Sequence, residues 1–255
     1  MTRTRRATVA MLLVGLAIFS SLYSTQAILP TLVDNMGLSS TEATMTVSAA
    51  TGALALCVVP ASILSERFGR GRILLISAVA ATGVGLIVPL AQEGWQLIVV
   101  RGLQGALLSG APATAMAWLS EELDDKALPR AMGLYIAGTS VGGLTGRLIP
   151  TGLVEISTWR WALFGSALVS LAFAITAWLL LPTQRNFRPK SIHLKTESRA
   201  LFGHWANRDL ALLFLTAFLS MGTFVSMYNF LTFRLIDDFG LAPSLAGLAF
   251  LFYLS

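Results

Sequence analysis

Charge is scarce in this chain. Of its 255 residues 12% are charged, where a soluble domain averages about 25%, and 55% are apolar. Cysteine is nearly absent: Cys57 stands alone inside an apolar run, which excludes a disulfide framework and a cysteine-ligated metal centre. The two histidines, His193 and His204, share one polar loop without metal-ligand spacing, so no metal site is expected. No GxxxxGKS/T loop occurs, which argues against direct use of ATP. No convergent set of nucleophile, base or metal ligands occurs either, so neither an enzyme nor a cofactor is expected. The net charge of +5 could suggest nucleic acid. The basic residues, however, flank apolar runs and form no continuous face, so nucleic acid is not expected as a partner.

What abounds is uninterrupted apolar sequence. Charge-free runs cover 7–33, 43–65, 73–92, 102–120, 161–184 and 210–233, each near the roughly 20 residues that a bilayer-crossing helix needs. We read seven spans, at about 8–33, 43–65, 73–91, 95–118, 131–154, 161–181 and 210–233, and the start of an eighth near Ser244. From Ser244 to Ser255 a helix would extend about 18 Å, too short to cross; the chain is therefore read as C-terminally truncated and unable to transport alone. Arg3, Arg5 and Arg6 before the first run imitate a secretory signal. That run is 27 residues long, beyond the usual apolar core of about 7–15, and is read as the first span.

With the N-terminus in the cytoplasm, 14 of the 18 Lys and Arg residues fall on the inner side, as the positive-inside rule requires. The expectation is a multi-pass protein of the cell (inner or plasma) membrane, in contact with lipid. Trp95, Trp118 and Trp159 at span ends read as interfacial anchors, and Pro60, Pro89 and Pro112 as bends.

The one long polar stretch, 182–209, is basic. It divides the chain into a six-helix transmembrane domain at 1–181, a cytoplasmic linker at 182–209, and the start of a second transmembrane domain at 210–255. An internal repeat supports this boundary. Residues 32–43 align with 235–246 without a gap, and five of twelve positions are identical. A repeat that restarts after six spans in the same orientation marks a transporter of two parallel halves.

Three motifs follow. The loop between spans 2 and 3 reads Ser62-Ile-Leu-Ser-Glu66-Arg67-Phe-Gly69-Arg70-Gly71-Arg72-Ile-Leu74; span 4 reads Leu97-Ile-Val-Val-Arg101-Gly-Leu-Gln104-Gly105; span 5 reads Gly138-Thr-Ser-Val-Gly142-Gly143-Leu-Thr-Gly146-Arg147. In order and placement they resemble the G-x-L-A-D-R-x-G-R-K/R-x-x-L, L-x-x-x-R-x-x-Q-G and G-x-x-x-G-P-x-x-G-G motifs of the major facilitator superfamily. Among its branches the chain looks most like bacterial acriflavine-sensitivity and drug-efflux permeases. The resemblance implies an all-α polytopic fold: the six-helix N-terminal half of a two-half transporter, plus span 7 and part of span 8.

It also implies roles. Glu66, Arg67, Gly69, Arg70 and Arg72 would form a cytoplasmic gate, with Glu66 in place of aspartate and Gly71 in place of a cation. Gly138, Gly142, Gly143 and Gly146 correspond to the antiporter motif; Gly138, Gly142 and Gly146 share one face and admit close helix contact. Arg101 would couple proton movement to substrate.

The residues themselves point to the same region. Arg101 and Arg147 lie inside spans, where charges face a cavity or a partner. Each stands eight residues from an acid at a span end (Glu93, Glu155), as do Gln26 from Asp34 and Asn229 from Asp237. We therefore expect a polar layer of Arg101, Arg147, Gln26, Asn229 and Gln104 in the outer half of a central cavity. Tyr23 and Pro30 share a helical face with Gln26 and could line it.

The reading is a secondary active transporter, with proton-coupled efflux of small molecules by alternating access. The proton is its coupling ion, and it is monomeric when complete. The alternatives are a non-transporting seven-span receptor or scaffold, and, for substrate, a sugar or organic-anion permease.

Overall fold

In a computed structural model, residues 1–189 and 206–249 are described. Most of the linker, with His193 and His204, and the last residues of the eighth span lie outside them. The regular elements among the described residues are all helical: α1 (Arg3–Tyr23), α2 (Leu29–Met36), α3 (Ser40–Phe68), α4 (Arg70–Gly85), α5 (Gly94–Leu108), α6 (Gly110–Glu122), α7 (Leu128–Val154), α8 (Trp159–Leu180), α9 (Arg208–Phe233) and α10 (Pro243–Leu248). Five of these stretches are long and apolar enough to cross a membrane: Arg3–Met36, Ser40–Phe68, Arg70–Leu90, Trp159–Leu180 and Arg208–Asp238. Two expected spans differ from that pattern. The fourth is divided at Ser109 into α5 and α6, and the fifth, α7, is one helix of 27 residues whose glycines and Arg147 dilute its apolar character.

Prolines explain the divisions, because proline lacks an N–H and its ring meets the carbonyl four residues back. Pro112 sits two residues into α6, just after the break at Ser109. Pro89 sits in the 3-10 turn that ends the third span. Pro30 opens α2, so the first span stops at Tyr23 and resumes through a 3-10 turn, Gln26–Ile28. Pro60, by contrast, lies inside an unbroken α3.

Glycines set the closest approaches. Added Cβ atoms at Gly138, Gly142 and Gly146 of α7 would meet backbone oxygens or Cα atoms of α1 at 2.4, 2.8 and 2.4 Å. The face that the 4-residue spacing predicts is therefore the α1 contact. Gly69 reverses the chain between α3 and α4 with φ 101°, which only glycine adopts readily. The two repeat segments share a further device: Gly37 and Gly240 have φ of 66° and 64°, a left-handed turn that explains why glycine occupies both.

Apolar packing forms one cluster around Met11, Ile18, Leu74 and Trp118 and another around Leu29, Leu32, Leu97 and Trp159. The tryptophans correct an expectation. Trp95 is 61% exposed, as an interfacial anchor should be, but Trp118 is 0% and Trp159 5% exposed. Trp118 packs beneath Gly71, and Trp159 carries the Arg160 guanidinium over its ring at 4.2 Å.

Candidate functional site

Along the first span, the break at residues 21–26 falls between the two apolar clusters. A broken helix exposes carbonyls that have lost their partners, and two buried arginines converge there. Arg101, on α5, is 0% exposed. Its guanidinium donates to Ser21 O at 2.9 Å, to Leu22 O, to Thr46 O at 3.4 Å, and to Gln104 Oε1 at 2.5 Å. Gln104 in turn donates to Ala81 O at 3.1 Å. Four acceptors thus serve the planar fork of five N–H groups, which offsets the cost of burying the charge. No carboxylate among the described residues lies within ion-pair distance of Arg101.

Arg147, on α7, is 1% exposed and approaches the break from the other side. It donates from Nε to Gln26 Oε1 at 2.8 Å and from Nη1 to Gly143 O at 2.8 Å. Gln26 passes the chain on, donating from Nε2 to Asn229 Oδ1 of α9 at 2.5 Å. The guanidinium lies 4.2 Å from the Tyr23 ring centroid and 5.4 Å from that of Tyr228, within cation–π range. A Cβ at Gly143 would stand 3.3 Å from Arg147 Nη1 and 3.5 Å from Tyr23. The residue that replaces the motif's proline therefore leaves room for this pair.

The expected polar layer is thus two hydrogen-bonded groups on one stretch of the first span. Arg101 and Gln104 form one; Arg147, Gln26 and Asn229 form the other. Tyr23 joins the second group, whereas Pro30 belongs to α2, because the break ends the helical phase that seemed to align them. Tyr228 was not legible as a site residue: it is one aromatic in an apolar run.

At the end of the bundle that carries Arg3, the loop motif finds partners on α6. Arg70 donates to Glu121 at 2.6 Å and lies 3.5 Å from Glu66. Arg67 lies 5.4 Å over the Phe68 ring, and Arg72 is exposed. Glu122 pairs with Arg3 and accepts the amides of Arg185 and Asn186, each at 2.7 Å. Gln184 bridges Glu121 and the Gly71 amide. Glu121 and Glu122 are therefore the acids on which the loop motif, Arg3 and residues 184–186 converge.

A family model described as Major Facilitator Superfamily matches residues 11–255. The chain belongs to the major facilitator superfamily. It is 36% identical over 251 residues to the inner membrane transport protein YnfM of Escherichia coli (strain K12), covering 98% of this chain and 60% of that protein. It is 30% identical over 190 residues to the multidrug resistance protein MdtG of Proteus mirabilis (strain HI4320), covering 74% of this chain and 46% of that one. The chain thus spans less than two thirds of either relative. Among solved structures, a bacterial homolog of the human lysosomal transporter Spinster superposes with a TM-score of 0.77 at 16% identity, over 98% of this chain and 59% of that chain. This superfamily member is an all-α, multi-pass membrane protein related to bacterial drug-efflux permeases.

Proposed function

We infer that the chain carries the six-helix N-terminal domain (1–181), the linker (182–209) and the opening helices of the second domain (from 210) of a secondary active transporter. It exports small molecules against a proton flow by alternating access, acts as a monomer, and has its N-terminus and linker in the cytoplasm. The observation that carries this reading is the buried chain Arg147–Gln26–Asn229. It joins the first domain to the first helix of the second, where rocking halves must part. Arg101 with Gln104 serves as the coupling element, holding the first-span break. Glu66, Arg67, Gly69, Arg70 and Arg72 form the cytoplasmic gate through Glu121. The glycine contact of α7 with α1 seals the bundle against ion leak.

The test uses cells that express the transporter and are loaded with ethidium. Efflux should stop on addition of an uncoupler, and Arg101→Ala should abolish it while the protein still inserts. Uncoupler-sensitive efflux at full rate in Arg101→Ala refutes the coupling role. In a Cys57→Ala background, Gln26→Cys and Asn229→Cys should react with membrane-impermeant thiol reagents; inaccessibility from both sides refutes the cavity.

A further inference from the structure

We propose that a single buried water occupies a serine-lined cell between four helices, next to the Arg101 group. The cell is a cavity of about 10 Å³ lined by Ser21, Ser24, Gly85, Gln104, Ser166 and Ser170. Such a volume matches one water molecule. Gly85 makes the room: a Cβ there would stand 2.9 Å from Gln104 Nε2 and 3.3 Å from Ala167 Cβ.

The hydroxyls divide into two kinds. Ser24 donates to Ser21 O at 3.0 Å and Ser170 to Ser166 O at 3.0 Å, which leaves their oxygens as acceptors. Ser21 and Ser166 are 3% and 0% exposed, and the Oγ of each is buried without a hydrogen-bond partner. An orphaned buried hydroxyl is costly, and two facing one cavity indicate a shared partner. A water satisfies both kinds, accepting from Ser21 and Ser166 and donating to Ser24 and Ser170, within the two to four bonds a buried water makes. The lining disfavours a cation: no carboxylate lines the cell, and Gln104 carries the Arg101 guanidinium at 2.5 Å. The water would tie α1 to α8, beside Gly85 of α4 and Gln104 of α5, at the level where Arg101 holds the broken span.

The sign of a stability change decides the matter. If the cell is wet, Ser166→Ala and Ser21→Ala each remove a hydrogen bond and lower the thermal midpoint of the detergent-solubilised chain by about 2–4 °C. The double variant should then fall by less than the sum, because one water serves both. If the cell is dry, each substitution deletes an orphaned hydroxyl and raises the midpoint; a rise overturns the proposal. X-ray radiolysis in oxygen-18 water gives a second readout. Val88 and Leu163 also line the cell and are 3% and 2% exposed. They should acquire the label, and Ser166→Val, which fills the cell, should suppress it. No label on either side chain likewise overturns the proposal.

Discussion

Gln26 donates to Asn229 at 2.5 Å across 203 positions of sequence, the same offset that separates the aligned segments 32–43 and 235–246. Gln26 is held from behind by Arg147. Gln26→Leu keeps the volume but orphans both the Arg147 Nε and the Asn229 amide. A loss of about 1–3 kcal/mol is expected, read as a lower thermal midpoint. Asn229→Leu should cost less, because it leaves the Arg147–Gln26 bond intact. Equal losses in the two variants would contradict the order of this chain.

Close helix contact makes glycine substitutions unequal. A Cβ at Gly105 would stand 2.0 Å from Ala50 O, and one at Gly146 would stand 2.4 Å from Ser20 O. Backbone cannot yield as a flexible side chain can, so Gly105→Ala and Gly146→Ala should each cost at least about 1–3 kcal/mol. At Gly152 nothing lies within 4 Å, and Gly152→Ala should be neutral or gain up to about 1 kcal/mol of helix propensity. Thermal midpoints of the three variants in one detergent check the ranking.

The missing cation of the loop motif has a steric cause. A Cβ at Gly71 would lie 2.9 Å from Trp118 Nε1, and Trp118 is fully buried. Gly71→Lys, which restores the usual charge, should destabilise the protein by about 1–3 kcal/mol. In a Trp118→Leu background the same substitution should cost markedly less. An unchanged cost there would show that Trp118 is not what excludes a side chain at 71.

Much of the architecture was legible because hydropathy and charge placement are sums over local sequence. The apolar runs located the helices, and the repeat aligned two segments whose shared glycines, Gly37 and Gly240, the structure shows to be left-handed turns. The layer was legible only as depth along helices: the eight-residue offsets placed Arg101, Arg147, Gln26 and Asn229 at one level. They could not say that the layer divides in two, because helix rotation and the break of the first span decide which acceptor each guanidinium reaches. The prolines were legible as positions of bends; the structure breaks the helix at Pro89 and Pro112 and carries Pro60 inside an unbroken α3.

By itself the sequence determined an all-α polytopic protein of the major facilitator superfamily, through apolar runs of spanning length and three ordered motifs. Only the tertiary structure decided that Arg101 takes the carbonyls freed at the first-span break, and that Arg147 reaches Asn229 through Gln26. Likewise it alone assigned Glu121 and Glu122 to Arg70 and Arg3, and buried Trp118 under Gly71. The reason is physical: hydropathy is set by the residue and its near neighbours, whereas the partner of a buried polar group is set by which helices approach it and how they are turned.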